Sequence, residues 1–183
     1  MLDTIQVVLW SVTYALIVIA GIRSRGCRMV SIPYTAGVLN FAWEACALQQ
    51  SQGMWGHLIW FGLDLGIVYF GFEYSKSWKQ RILYVAAICT GVLVMWYIFA
   101  QQQGMLVSAF ALDLFMAVLF IVERRKLSPE LKVPIAVARL LGDFVAGLFY
   151  APESMAVCIM VVAVTLCNMA YLLLCIREYR AKK

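Results

Sequence analysis

The chain has 183 residues, 64% of them hydrophobic and 14% charged, with a formal net charge of +5 and a mean hydropathy of +0.84. Soluble domains carry about 25% charged and roughly 45–50% apolar residues, and one water-facing core has no room for the excess. The composition excludes an ordinary soluble domain, a disordered chain and a disulfide-stapled secreted module. It predicts an all-α polytopic membrane protein of a single domain, residues 1–183.

A hydrocarbon core about 30 Å thick takes around 20 apolar residues per helix. Such stretches run over 3–22, 32–50, 54–72, 81–100, 104–122, 133–151 and 154–176, which gives seven spans. Only Asp3 precedes the first run. It lacks the basic flank and small-residue cleavage site of a signal peptide and is read as a helix. Arg23, Arg25 and Arg28 follow it, whereas the second connection, Gln49 to Gly53, is uncharged. Lys76, Lys79 and Arg81 mark the third connection, and Gln101 to Gly104 form a neutral fourth. Arg124, Arg125, Lys126 and Lys132 mark the fifth, Tyr150 to Glu153 carry no base, and the tail holds Arg177, Arg180, Lys182 and Lys183. Every base except Arg139 thus falls on alternate connections. The positive-inside rule then sets the N-terminus outside and the C-terminus in the cytoplasm. The basic clusters are read as topology signals, not as nucleic-acid sites, and membrane lipids are the expected surroundings. The membrane is a bacterial plasma membrane or the endoplasmic reticulum.

The cysteines, Cys27, Cys46, Cys89, Cys158, Cys167 and Cys175, form no C-x-x-C pair and read as apolar packing residues. Glu73, Glu123, Glu130, Glu153 and Glu178 flank the spans, where water solvates them. Glu44, Asp64, Asp113, Asp143 and Arg139 instead lie within apolar runs. A charge at such depth costs from about 2.5 to above 10 kcal/mol, so these groups are expected to face one another or a polar cavity. In span 6, Arg139 and Asp143 share a face with Gly142, Ala146, Gly147 and Tyr150. In span 2, Glu44 shares one with Pro33, Ala36, Gly37 and Asn40. In span 3, Asp64 follows His57, Trp60 and Phe61. At 1.5 Å per residue the three aspartates fall near the midplane and Glu44 slightly toward the outer side.

Arg139 with Asp143 fits either a buried ion pair or a working site, and Asp64 and Asp113 fit as further partners of Arg139. Glu44 has no base at helical spacing, and an unpaired buried carboxyl favours its neutral form, which makes it a proton donor. His57 reads as an interfacial residue. One histidine and no clustered ligands give no metal set, and no cofactor is implied. Trp10, Tyr34 and Trp78 fall in interfacial belts. Phe41, Trp43, Trp60, Phe61, Trp96, Phe110 and Phe144 lie deeper, where π-faces stabilise a cation by roughly 0.5–2 kcal/mol each when desolvated.

Asn40-Phe41-Ala42-Trp43-Glu44 resembles the N-x-x-W-E stretch of the membrane-integral terpene cyclases of fungal meroterpenoid and indole-diterpene pathways, which have bacterial relatives. The segment from Trp60 to Tyr69, WFGLDLGIVY, resembles that family's W-x-x-x-D-x-x-I-V-Y. The likeness is sharp over about 37–72, while the short loops depart from many fungal members. The resemblance implies a metal-free, protonation-initiated cyclisation of a hydrophobic prenylated or epoxy-prenylated substrate. Glu44 and Asp143 are then the catalytic acids, and Asn40, Asp64, Asp113 and Arg139 a supporting network. Trp43, Trp60, Phe61, Tyr69, Trp96, Phe110 and Phe144 are the expected substrate-binding residues. Two other classes stay open: a small transporter with a 3+1+3 repeat that uses the buried acids, and a lipid-modifying membrane hydrolase.

Overall fold

Each long apolar run folds as a helix. The structure, a computed structural model, describes residues 2–23, 36–49, 54–101, 104–127 and 129–181. Helix α1 spans Leu2–Arg23. A π-helical turn, Ala36–Asn40, leads into the short α2, Phe41–Ala47. Then follow α3 (Met54–Tyr74), α4 (Trp78–Phe99), α5 (Gly104–Glu123), α6 (Pro129–Tyr150) and α7 (Met155–Arg180). Six of these, all but α2, are long and apolar enough to cross a membrane. Of the span expected at 32–50, the described residues are helical over Ala36–Ala47, a rise of about 18 Å. Pro33 and Tyr34, Cys27, Arg25 and Arg28, and most of the two glutamine-rich connections lie outside the described residues.

Where helix ends differ from expectation, local chemistry accounts for it. Helix α4 begins three residues early because Ser77 and Gln80 close a capping box: each side chain binds the other residue's backbone N–H, both at 3.2 Å. Helix α6 starts at Pro129, a residue suited to a first helical turn. Helix α7 runs on to Arg180, and its last turn is tied down by ion pairs. Glu178 accepts from Lys132 at 2.7 Å and from Arg124 at 3.0 Å. This corrects the expectation that the span-end acids are simply solvated. Glu123 is likewise buried and 3.0 Å from Lys126.

Helices α1, α3, α5, α6 and α7 share the main core, built on Tyr14, Ile67, Phe120, Ile135 and Tyr171. Close approach depends on small residues: a Cβ on Gly142 would sit 3.2 Å from Trp10 of α1. Helix α4 stands apart from this core. It packs on α2 and the π-helical turn through Met95, Ala42 and Trp43, and only sparsely touches α3 and α5. Large apolar side chains cover the outside, among them Leu83, Leu93, Val122, Met155 and Leu173, while Arg139, Asp64, Asp143 and Asn168 are buried. That distribution is the inverse of a water-soluble bundle and fits hydrocarbon surroundings.

Candidate functional site

The Glu44 carboxyl sits in the first turn of α2, and the first turn of α3 brings His57 against it. Oε2 of Glu44 and Nδ1 of His57 are 2.9 Å apart, with side-chain exposures of 5% and 11%. Two tryptophans hold the imidazole, their centroids 5.6 Å (Trp43) and 5.5 Å (Trp60) from its own. Two sequence expectations are corrected here. Glu44 is not unpartnered, because its base comes from the neighbouring helix and not from its own. His57 is not a merely interfacial residue, because α2 covers it.

A second polar group forms around Arg139 of α6. Its guanidinium donates to the side chain of Asp113 and, at 2.8 Å, to the Asp113 main-chain oxygen. Its Nε donates to Asn168 of α7 at 2.9 Å, and the Asn168 amide in turn donates to Asp143. The arginine plane lies against the rings of Phe120 and Trp10, 5.0 and 5.5 Å away. Four helices therefore hold Arg139, with two carboxylates, an amide and two π-faces. Asp113 keeps a side-chain exposure of 12%, while Arg139 and Asp143 are almost fully enclosed.

Between these groups lies Tyr14 of α1. Its hydroxyl accepts from Asn40 at 3.1 Å, and its ring is within electrostatic reach of Asp64, Glu44, Asp113 and Arg139. Asp64 is fully buried, and neither carboxyl oxygen has a hydrogen-bond partner among the described residues. Trp60 Nε1 likewise has no partner among the described residues. Such groups are rare in stable interiors, and they collect where a protein does chemistry or binds something. Tyr14, Asn168 and Ser108 were missed by sequence reasoning. The available signal was a lone hydrogen-bonding residue in an otherwise apolar run.

The aromatic residues divide. Trp43, with 9% exposure, donates from Nε1 to Ser108 of α5 at 3.0 Å and packs edge-on to Phe99. Phe61 stacks on Phe41 at 4.8 Å, and Phe110 is buried against Ala146 and Val157. Tyr69, Trp96 and Phe144 face outward, which corrects their assignment to a pocket wall. The cause is helical phase: each lies about 100–140° around its helix from a buried neighbour, namely Asp64, Met95 and Asp143. A lateral groove of about 520 Å³ opens between α4 and α5, where those helices barely touch. Leu39, Met95, Ile98, Val107, Leu112 and Phe115 line it, and Ser108 on its wall meets Trp43. Trp43 therefore stands between the groove and the Glu44–His57 pair.

The helices and their buried polar interior define a multi-pass helical membrane protein. No protein family, no curated protein and no solved structure matches the chain.

Proposed function

We propose that this protein is a transmembrane terpene cyclase that starts ring closure by proton transfer from Glu44 to a prenylated or epoxy-prenylated substrate. The observation that supports it best is the Glu44 carboxyl itself: it is buried and hydrogen-bonded to a histidine that Trp43 and Trp60 flank. A positioned carboxylic acid contributes about 10²–10⁴-fold to such a step. Aromatic faces then stabilise the cation that moves along the closing chain. The apolar groove between α4 and α5 gives a membrane-dissolved hydrocarbon a path toward Trp43. Asp143, which accepts from the Asn168 amide beside Arg139, is the second acid–base group and ends the cascade by accepting a proton. The motif resemblance over 37–72 supports the same reading, with seven spans, an outer N-terminus and a cytoplasmic C-terminus.

The test is conversion. Membranes carrying the protein turn a farnesylated indole or phenol, or its epoxide, into a cyclic isomer of unchanged mass. Glu44→Gln abolishes the product while the protein still inserts and purifies as a folded species. Product formation at the wild-type rate in that variant overturns the reading, and a product of altered mass favours the hydrolase. A second reading rests on Asp64: a buried acid with no hydrogen-bond partner among the described residues also suits proton-coupled transport. Solute uptake into proteoliposomes driven by a pH gradient, lost in Asp64→Asn, marks that alternative.

A further inference from the structure

His57 is the only histidine in the chain, and the structure spends it on the candidate acid. Within the pair the imidazole is the more exposed partner, 11% against 5%, and it occupies the first turn of α3, toward one end of the bundle. Its surroundings are defined on each packed side. Helix α2 contributes Glu44 and Trp43, and α3 itself contributes Trp60, with Asp64 two turns further on. Helix α1 brings the apolar Val7 against the adjoining Gly56. The two indoles fix the ring plane, so Nδ1 stays aimed at the carboxyl. A carboxyl more enclosed than the imidazole bound to it exchanges protons with water most readily through that imidazole.

From this geometry we infer that His57 is a positioning residue that also reloads Glu44 with a proton after each turnover. The inference rests on the cyclase reading above. The proton balance closes as follows. In initiation the Glu44 O–H bond breaks and a C–H or O–H bond forms on the substrate, which leaves a carboxylate facing Nδ1. The neutral ring, protonated on Nδ1, takes a proton from water on Nε2; the Nδ1–H bond then breaks, the Glu44 O–H bond reforms, and exchange with water moves the remaining ring proton from Nε2 back to Nδ1 before the next turnover. The proton released at termination leaves through the terminating base, so each cycle takes up one proton and releases one. No redox partner or metal enters.

Because the chain has a single histidine, ¹⁵N-histidine NMR of the purified protein in detergent reads this one site. The Nδ1 resonance carries a hydrogen-bond signature that shifts in Glu44→Gln. A resonance indifferent to that substitution overturns the pairing whatever the activity. The kinetic arm uses the farnesylated indole. His57→Asn keeps an N–H close to the Nδ1 position but cannot cycle a proton. It is expected to form about one product per enzyme and then to slow by about 10²-fold or more. His57→Ala loses steady turnover and regains part of it when imidazole is added. Steady turnover of His57→Asn at the wild-type rate overturns the relay. A wild-type protein that makes no cyclic product removes the cyclase reading and the relay with it, and the NMR arm then reports separately whether the pair exists.

Discussion

The Arg139 guanidinium bonds to Asp113 across the bundle, while Asp143, one turn ahead on its own helix, stays 3.8 Å from Nε and is reached through Asn168. One cation therefore serves two acids from two helices, and the amide of α7 shares the second between them. Removing the cation leaves both carboxyls enclosed without compensation. Arg139→Ala is expected to cost about 3–5 kcal/mol, the usual penalty for breaking a buried charged group from one side. The paired change Arg139→Met with Asp113→Leu costs less than Arg139→Ala alone. Thermal melts of detergent-solubilised protein check this, and equal melting of wild type and Arg139→Ala rejects the network as a source of stability.

Asp64 makes the opposite case. It is fully buried and neither oxygen receives a hydrogen bond from the described residues, so its polarity works against the fold. Asp64→Leu, which keeps the branching and heavy-atom count, is expected to raise stability by about 1–3 kcal/mol and to remove the activity that Asp64 serves. The two readouts are the melting temperature and product formation. A destabilised Asp64→Leu would mean that the carboxyl has a structural partner after all.

How much of this was legible in the sequence depends on the range of the interaction. Most helix positions followed from apolar length, and the inward faces of α3 and α6 followed from phase: Asp64, Arg139 and Asp143 are all buried. What periodicity cannot give is which inward face meets which. The Glu44–His57 pair joins residues on separate helices, and the Asp113–Arg139 pair joins residues 26 apart. The outward turn of Tyr69, Trp96 and Phe144 shows the same limit from the other side. An aromatic residue suits a lipid-facing wall and a pocket wall equally, so composition alone does not sort them. The isolation of α4 was invisible as well, because its apolar run reads like the others while its docking depends on the π-helical turn at Ala36–Asn40.

That docking depends on one glycine. A Cβ at Gly91 of α4 would lie 2.7 Å from the main-chain oxygen of Val38 and 3.3 Å from the Ala42 methyl. Main chain cannot swing aside as a long side chain does. Gly91→Ala should therefore push α4 away from the turn at a cost of about 1–3 kcal/mol, although alanine is the better helix former. The displacement is read as faster proteolysis or hydrogen exchange in α4, with α1, α6 and α7 unchanged. Uniform protection across all helices would mean that the turn adjusts instead.

The groove between α4 and α5 makes the last prediction. Ala111 lines it and is exposed, so a larger side chain there fills open space without entering the core. Ala111→Trp is expected to leave the melting temperature nearly unchanged, within about 0.5 kcal/mol of wild-type stability. A substrate that reaches Trp43 and Glu44 through this groove then meets an indole in its path, and kcat/KM falls by about 10-fold or more while the protein remains folded. A purely structural groove, or entry from another side of the bundle, leaves kcat/KM at the wild-type value. Because the substitution lies on the far side of Trp43 from Glu44, a lower kcat/KM with intact folding locates the route to the acid without disturbing the acid itself.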